Sequence, residues 1–362
     1  MTTNLPHVLI VLHDFSLGGT ERVALRLANA WTAAGCAVTI FAGSDAGPLR
    51  DLAGEGPGII LARPAIPRGP RSRDRLGRAA RAFAAGGRFD VVFVPGNYHW
   101  PVATAFAGSD IPVVAQVSAA LDKPQRCVLR RWGFERRMRR LLRHADAVVT
   151  LSEVARDQAN AILRRPAATT IALPALSDAV PPPTAAPDTA SPLVMAAGRL
   201  VPEKGFARLI EAFAALSQCD ARLAIVGDGP DARSLHDLAE RLGVAGRVTF
   251  PGYVADIRPW LDEARLFVLA SDFEGFPAVV VEALAAGRPV VATDCTPATG
   301  LLRAPGAGAI VPVGAIAGLT RAIERLLDQP PPDPHALAAS VGRHRIGPVA
   351  RAYLTLFADL GR

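Results

Sequence analysis

The stretch LFVLASDFEGFPAVVVEALAAGRPVVA, residues 266–292, contains a complete strand–helix–strand unit. The apolar runs at its two ends predict strands at Leu266–Leu269 and Pro289–Ala292. Between them the pattern predicts a helix at Pro277–Ala286, because proline suits the first helical position, where a backbone N–H has no acceptor. Strands joined through a helix indicate a parallel sheet, so this stretch predicts an α/β fold.

The same alternation of short apolar runs and longer amphipathic runs extends along most of the chain. In the first half it predicts strands at His7–Leu12, Ala37–Ala42, Val91–Val94, Pro112–Gln116 and Ala147–Leu151, with helices at Thr20–Ala34, Arg75–Ala85 and Arg130–Arg143. In the second half it predicts further strands at Pro192–Ala197, Arg222–Val226, Arg247–Phe250 and Ala309–Val311, with helices at Gly205–Ser217, Asp231–Leu242, Ala255–Glu263 and Ala315–Leu327. Because Leu173–Ser191 is rich in Pro, Ala and Ser, we predict α/β domains at 1–175 and 192–345, joined by a flexible linker at 176–191.

Composition excludes several classes of protein. A chain of 362 residues with 50% hydrophobic residues is not globally disordered. Its apolar runs fall well short of the ~20 residues that a membrane-spanning helix needs. The start, MTTNLPHVLIVLHDF, has no basic region before its apolar run and predicts a strand rather than a signal peptide. The four cysteines form no CxxC pair, which argues against a zinc site or a disulfide framework and favours a reducing compartment.

Ligands of open parallel sheets bind at the carboxyl ends of the strands, so the loops that follow strands are the candidate sites. The loop Asp14–Glu21 carries Gly18 and Gly19, which would let a phosphate approach the backbone beside the N–H groups of the next helix. The alternative is an ordinary tight turn. A dinucleotide site has weak support, because the loop lacks the G-x-G-x-x-G pattern.

A second loop, Ala197–Gly205, carries two cations. Arg199 and Lys204 lie five residues apart, with Lys204 at the entry to a predicted helix. Two cations beside a helix N-terminus could clamp an anion. The alternative is a pair of solvated surface charges.

The third loop, Ser271–Glu282, carries two carboxylates. Glu274 precedes the predicted helix and Glu282 lies inside it, with free backbone N–H groups expected at Phe276–Val279 between them. Two acceptors that flank a patch of donors would suit a polyol attached to a phosphate. The alternative is a capping carboxylate and an exposed helical glutamate.

These loops together resemble a known family. The run from Glu274 to Val291, EGFPAVVVEALAAGRPVV, resembles the signature of the family-four retaining glycosyltransferases, which have the GT-B fold. The resemblance extends in order and spacing from about residue 8 to residue 300. Four further segments carry it: Gly18–Val23 (GGTERV), Gly198–Leu200 with Lys204–Gly205, Val226–Pro230 (VGDGP) and Val248–Val254 (VTFPGYV).

The resemblance implies a fold and a division of labour. Two Rossmann-like domains would face each other across a cleft, and a final helix within 346–362 would return to the first domain. The second domain would bind a nucleotide-sugar donor and the first an acceptor. The implied catalytic residues are Arg199 and Lys204 on the diphosphate and Glu274 on the sugar hydroxyls. The implied donor-binding residues are Gly18, Gly19, Tyr253, Val254, Gly275, Phe276, Pro277, Ala278 and, on the ribose, Glu282.

The implied reaction is retaining transfer of a hexose-type sugar to a lipid-linked or cell-surface glycan. No D-x-D pair or histidine cluster is placed to hold a metal, so we expect neither a metal nor another cofactor. The family's usual acceptor-side histidine is missing from Val114–Lys123, where Ser118 takes its approximate position. His99 could face the cleft instead, or serve in packing. A nucleotide-sugar epimerase, a transferase for a small soluble acceptor and a non-enzymatic binding module are the alternatives.

The first half of the chain is strongly basic. Residues 1–178 carry 23 Lys and Arg against 14 Asp and Glu, and eight of the arginines lie in Arg126–Arg143 among apolar residues. This pattern predicts either a helix on an anionic membrane surface or a solvated helix face. We find no nucleic-acid-binding motif and expect no nucleic-acid partner. The expected location is the cytoplasm, with the option of peripheral attachment to the inner face of the cytoplasmic membrane.

Overall fold

The chain divides into two compact units. A computed structural model describes residues 5–118, 121, 127–187 and 190–361. The N-terminal unit comprises the chain up to Asp178 together with His344 onward, and the C-terminal unit comprises Ala179–Arg343. The boundaries lie within a few residues of 175 and 345, but the segment predicted as a linker is divided between the two units.

The N-terminal unit is built on a parallel sheet in the order β3-β2-β1-β4-β5-β6-β7. Its strands are β1 His7–Leu12, β2 Ala37–Ala42, β3 Gly58–Leu61, β4 Val91–Val94, β5 Val113–Val117, β6 Ala147–Thr150 and β7 Ala168–Thr170. Its helices before residue 179 are α1 Gly19–Ala33, α2 Ser72–Ala84, α3 Trp100–Ala105, α4 Val128–Leu142 and α5 Glu153–Leu163. Four-residue runs such as Val91–Val94 are buried throughout, as strands covered by helices on both faces must be.

The C-terminal unit has a second parallel sheet, in the order β10-β9-β8-β11-β12-β13. Its strands are β8 Leu193–Ala197, β9 Arg222–Val226, β10 Val248–Gly252, β11 Ala264–Leu269, β12 Val290–Thr293 and β13 Gly308–Val311. Its helices are α6 Phe206–Ala214, α7 Ala232–Arg241, α8 Arg258–Glu263, α9 Ala278–Ala285, α10 Ile316–Asp328 and α11 Pro334–Ser340. The second sheet has the doubly wound strand order 3-2-1-4-5-6 of a Rossmann-like domain, and the first has the same order with a seventh strand added at its edge, which confirms the predicted fold class.

The last helix, α12 (Ile346–Leu360), belongs to the N-terminal unit, as expected. Its backbone accepts a hydrogen bond at Ala350 O from Trp31 Nε1, at 3.2 Å. The buried hydroxyl of Tyr353 accepts another from Gln116 Nε2, at 2.9 Å. The Tyr353 ring also packs edge-on against Trp31 and Phe93. The helix therefore completes the core of the first sheet, although it follows the whole C-terminal unit in the chain.

The segment predicted as flexible is held by arginines. The guanidinium of Arg258 donates to the carbonyls of Pro181 (2.9 Å) and Pro182 (2.6 Å). The fully buried Arg288 donates to Thr184 O at 3.0 Å. Proline removes a backbone donor but leaves its carbonyl as an acceptor, so a proline-rich segment can still be fixed by side-chain donors. The composition of the segment did not reveal these distant donors.

No helix within the described parts of the chain has both the length and the apolarity needed to cross a bilayer.

Candidate functional site

The first candidate site lies at the carboxyl edge of the second sheet, where β8 and β11 are neighbours. The chain leaves β8 toward β9 on one side and later returns as β11 on the other, and such a switch point is where Rossmann-like sheets bind ligands. The loops after β8, β9 and β10 are tied together by backbone hydrogen bonds. Gly198 N donates to Val226 O, Leu200 N to Asp228 O and Gly227 N to Gly252 O, each at 2.9 Å.

Two glycines are required by the close packing of these loops. Gly227 has φ +141°, and a Cβ there would lie 1.9 Å from the carbonyl oxygen of Gly198. Gly205 has φ +68°, and its Cβ would lie 2.1 Å from Ala270 O. Both are positions that only glycine can occupy without displacing backbone. The close contacts bring the loop after β8 against the loops after β9 and β11.

Lys204 and Glu274, both predicted as catalytic, form a direct ion pair. Lys204 Nζ donates to Glu274 Oε1 at 2.5 Å, and the two side chains are 24% and 17% exposed. Ser271 Oγ donates to the same oxygen at 3.0 Å. The backbone N–H of Glu274 donates to Cys295 O at 3.0 Å, which fixes the start of the loop before α9. The sequence assigned the two residues to different parts of the donor and did not predict their pairing.

Arg199, the other predicted cation, is arranged differently. Its side chain is 72% exposed, and its Nη2 lies 4.0 Å from Glu203 Oε1. An exposed pair at this distance is worth little, so the guanidinium is free to turn toward an anion. Lys204 is thus held in place by a partner, whereas Arg199 is held loosely beside it.

Arg208 was missed by sequence reasoning. It lies in the first turn of α6, four residues after Lys204, and its Nη2 donates to Asp272 and to Ala270 O. Asp272 N in turn donates to Glu203 O at 2.8 Å. These contacts connect the loop after β8 to the loop after β11. The available signal was a second cation four residues after Lys204, in the first turn of the helix that follows.

The remaining predicted donor-binding residues of this unit lie along the same edge. Tyr253, 56% exposed, and the half-buried Val254 follow the end of β10. Glu282 is half-buried on α9, and Thr296 Oγ1 donates to Gly275 O at 3.0 Å, which holds the loop that carries Phe276. Helix α9 begins at Ala278, one residue later than predicted. Pro277 has ψ 114° and lies just before the helix. Because the ring nitrogen of proline carries no hydrogen, the N–H donors of this helix start at Ala278.

Cys295, whose carbonyl accepts the N–H of Glu274, carries a free thiol. Burial raises the pKa of Cys295 to about 11, so it stays protonated at neutral pH. In the parts of the chain that the structure describes, no three His, Cys, Asp or Glu side chains are grouped to hold a metal ion.

In the N-terminal unit the predicted glycine pair proves unequal. A Cβ on Gly18 would lie 2.3 Å from Glu21 Oε2, whereas a Cβ on Gly19 would meet nothing within 4 Å. A larger residue at position 18 would therefore have to displace the Glu21 carboxylate, which is the end of a side chain. Gly19 keeps the open backbone that contact with a ligand needs.

The two acceptor-side candidates also differ. Ser118 is half-buried at the end of β5, and its N–H donates to Asn97 Oδ1 at 2.8 Å. His99 is fully buried, with Nδ1 2.8 Å from Pro95 O and Nε2 accepting the backbone N–H of His13 at 3.1 Å. Burial lowers the pKa of His99 to about 4. Because both ring nitrogens are engaged by backbone, the structure gives His99 a packing role rather than one facing a substrate.

Two Rossmann-like units in one chain, with cations, carboxylates and an open helix end at the switch point of the second, define a GT-B-type protein. A model of the glycosyl transferase 4-like domain matches residues 18–175, and a model of glycosyl transferases group 1 matches residues 191–329. The chain therefore belongs to the group 1 glycosyltransferase family.

Individual proteins agree with this assignment. The lipopolysaccharide core biosynthesis glycosyltransferase LpsE of Rhizobium meliloti (strain 1021) is 41% identical over 137 residues, which is 38% of this chain and 40% of LpsE. The match thus spans about two fifths of that relative. Anabaena HepE, solved with UDP and glucose, has a TM-score of 0.78 at 20% identity over 98% of this chain and 100% of its own. The outer core galactosyltransferase WaaB has a TM-score of 0.73 at 18% identity over 98% and 99%.

Proposed function

We propose that this protein is a retaining glycosyltransferase that moves a hexose-type sugar from a nucleotide-sugar donor to a glycan acceptor. The observation that carries the proposal is the Lys204–Glu274 pair at the β8–β11 switch point, beside the loosely held Arg199. A nucleotide sugar combines a diphosphate with a polyol, and this edge of the sheet offers cations for the first and a carboxylate for the second. The comparisons give the epimerase alternative no support.

Binding of the donor would redistribute the charges of the site. Without donor, the charge of Lys204 is balanced by Glu274. A diphosphate brings more negative charge than one carboxylate, so Lys204 would turn to it and Arg199 would join from the other side. Glu274 Oε1 would then be released to accept hydrogen bonds from sugar hydroxyls, with Ser271 Oγ still holding it in position.

The chemical step would be driven by electrostatics. Negative charge grows on the leaving diphosphate as the glycosidic bond to it breaks, and Arg199 and Lys204, already turned to the bound diphosphate, would stabilise that charge. The acceptor hydroxyl would attack from the same face and pass its proton to the leaving phosphate. Such a step retains the anomeric configuration and requires neither a carboxylate nucleophile nor a metal. Glu282 and the Tyr253–Val254 segment would hold the nucleoside, and Gly19 would contact the donor phosphate.

We propose a lipid-linked or cell-surface glycan as the acceptor, in keeping with the role of LpsE in lipopolysaccharide core biosynthesis. The exposed apolar residues of helix α4 support an acceptor at a membrane surface. Val128, Leu129 and Trp132 are 82%, 80% and 56% exposed, although each is a large apolar residue. At the other end of the helix, Met138 and Leu142 are fully buried and anchor it to the unit.

The charge on α4 indicates which kind of partner would bind its exposed apolar residues. The exposed arginines of the helix and its C-terminal cap are Arg130, Arg131, Arg136, Arg137, Arg140 and Arg143, while Arg126 lies outside the described residues. Apolar side chains among exposed cations suit an anionic lipid surface. The free thiols support a location on the cytoplasmic side of the membrane. A small soluble acceptor remains the alternative.

The test is a panel of nucleotide sugars, screened for thermal stabilisation of the protein and then for transfer to purified lipopolysaccharide core acceptors. We expect one donor to raise the melting temperature and to yield a product with the donor's anomeric configuration. Conversion of a donor to its epimer without acceptor, or an inverted product, would contradict the proposal.

A further inference from the structure

One guanidinium holds both ends of the loop that carries Gly18 and Gly19. Arg68, in the connection between β3 and α2, donates from Nε to Asp14 Oδ2 at 2.5 Å and from Nη2 to Asp14 Oδ1 at 2.7 Å. The same Nη2 donates to Glu21 Oε1 at 3.0 Å. Asp14 begins the loop and Glu21 lies in the first turn of α1, so Arg68 spans the loop from end to end.

The carboxylates of this cluster depend on their partner. The side chains of Asp14 and Glu21 are only 8% and 7% exposed, whereas that of Arg68 is 39% exposed. A carboxylate so deeply buried is costly to keep ionised unless a cation or several donors satisfy it. The Glu21 carboxylate that meets Arg68 also lies beneath Gly18, where a Cβ would come 2.3 Å from its Oε2. The path of the loop over Glu21 is thus linked to the ion cluster below it.

We propose that Arg68 is a positioning residue for sugar transfer, which holds the Asp14–Glu21 loop in the conformation that leaves the Gly19 backbone open. Arg68 acts through Asp14 and Glu21 and needs no contact with substrate. The inference rests on the proposed function, in which Gly19 contacts the donor, and it adds a residue that none of the sequence motifs contains.

Removing the guanidinium would leave two buried carboxylates that had shared one Nη2. Like charges held so close are relieved when one carboxylate takes up a proton, so the loop of such a variant becomes sensitive to pH. Other titratable or charged groups near the cluster are His13, His99, Tyr98 and Arg73. Burial lowers the pKa of both histidines, so they are neutral at pH 8 and cannot replace the lost charge.

Arg73 could offer only a distant substitute. Its guanidinium lies over the Tyr98 ring, 5.0 Å from the ring centre, as Arg68 does at 4.6 Å. Across the residues that the structure describes, no ion pair joins Arg73 to Asp14 or Glu21. The ion pairs from Arg68 to Asp14 and Glu21, here called the Arg68 brace, therefore have no second cation within the described part of the chain to replace Arg68. Substitution of that residue alone should release the loop.

The experiment compares the full-length wild type with Arg68→Gln, Arg68→Lys and the control Arg78→Gln, an exposed arginine of α2. Hydrogen exchange is followed at pH 5.5 and pH 8, corrected for intrinsic rates, in peptides covering residues 15–23. Two amides there have acceptors, Ser16 N on Asp14 Oδ1 and Arg22 N on Gly18 O. In Arg68→Gln we expect exchange about tenfold faster or more at pH 8 and close to wild type at pH 5.5. Arg68→Lys should lie between, and Arg78→Gln should match wild type.

A second variant guards against simple misfolding. Arg68→Gln combined with Asp14→Asn and Glu21→Gln removes both charges, so loop protection at pH 8 should return toward wild type. Exchange in Arg68→Gln within twofold of wild type at both pH values would overturn the brace. Failure of the triple variant to recover protection would equally overturn it, because the loss would then not arise from unbalanced charge.

Measuring turnover as well as exchange distinguishes failure of the Arg68 inference from failure of the proposed function. With the donor found by the stabilisation panel, kcat/KM of Arg68→Gln should fall about tenfold or more at pH 8, since small misplacements of a substrate-binding group cost up to about 10²-fold. The loss should shrink at pH 5.5. If the wild type transfers no sugar, the proposed function fails, while the exchange data still judge the brace. If exchange rises but turnover does not fall, the positioning role is overturned.

Discussion

Lys204 Nζ and Glu274 Oε1 lie 2.5 Å apart, although 70 residues separate them in the chain. They meet because β8 and β11, which precede them, are adjacent strands of one parallel sheet. The pair balances charge in a half-buried position and keeps both groups at the edge where a donor would bind. In the proposed mechanism a bound donor takes the place of Glu274 as the partner of Lys204. The first prediction tests whether Lys204 and Arg199 then act on the donor.

Arg199→Ala and Lys204→Ala should each reduce kcat by about 10²- to 10³-fold, the usual cost of losing one preorganised donor to the transition state. Steady-state kinetics with saturating donor measures the loss. Arg233→Ala, which removes an exposed arginine of α7, is the matched control and should be silent. Near-normal turnover by both variants, with melting temperatures unchanged, would show that the reaction does not depend on Arg199 and Lys204.

Chelation should leave activity intact. In the proposed mechanism, Arg199 and Lys204 supply the charge that a divalent ion would otherwise provide, so overnight dialysis against EDTA should change turnover less than twofold. The measurement is initial rate before and after dialysis, with and without added Mg²⁺ or Mn²⁺. Activity that disappears on chelation and returns with either ion would show that the mechanism requires a metal.

Gly227→Ala should destabilise the C-terminal unit by more than about 2 kcal/mol, because strain at a positive φ adds to a collision with Gly198 O. Urea unfolding followed by circular dichroism gives the free energy of unfolding. The control is Gly246→Ala, at a position where a Cβ meets nothing within 4 Å. Equal stability of the two variants would mean that the loops after β8 and β9 do not pack as described.

Stability should fall on acidification before the carboxylates titrate. Burial lowers the pKa of His99 to about 4 from an ordinary value of 6.5, so below pH 6.5 the unfolded chain binds a proton that the folded state does not. Stability from this residue is complete above pH 6.5 and declines as pH falls toward 4, by about 1 kcal/mol at pH 5.5. The free energy of unfolding of wild type and His99→Gln, compared at pH 7.5 and 5.5, measures this. A loss equally large in the variant would rule out His99 as its source.

Helix α4 should bind anionic vesicles in a salt-sensitive way. Each exposed arginine near such a surface contributes about 1 kcal/mol over a Debye length of about 8 Å at physiological salt. Co-sedimentation with anionic and neutral vesicles at low and high salt compares wild type with Arg130, Arg131, Arg137 and Arg140 changed to Gln. Wild type that stays in the supernatant with anionic vesicles at low salt would leave the arginines as a solvated helix face.

The fold was predictable because buried strands and amphipathic helices leave clear patterns in the sequence. Some elements were missed. Strand β3 (Gly58–Leu61) is as long as the predicted β4, but it lies at the edge of the sheet and is mostly exposed. Helix α5 did carry a signal, since Ser152 Oγ caps it by accepting Ala155 N at 3.2 Å, and a serine before the acidic Glu153 could have predicted it.

The positions of the candidate residues were predictable where a loop follows a strand. Lys204, Glu274 and Gly19 were each singled out from such a loop, and their roles stay predictions. Arg68 was not, because it lies 47 residues from Glu21 in a connection without regular pattern, and its role exists only once β1, β2 and β3 are neighbours. The crowding at Gly18 by the Glu21 carboxylate was hidden for a similar reason, since nothing in a glycine pair says which member is crowded.

The return of α12 to the first sheet makes the C-terminal unit an insertion within the N-terminal one. The chain enters it at Ala179 and leaves it at Arg343, while Trp31 is covered by a helix that begins only at Ile346. Deleting the last helix would therefore expose the core of the N-terminal unit, and not that of the C-terminal unit that directly precedes the helix in the chain. Conversely, residues 179–343 form a unit whose two ends lie close together, since Arg345 donates to Asp178 O. The corresponding unit of a relative could replace it without disturbing the core around Trp31.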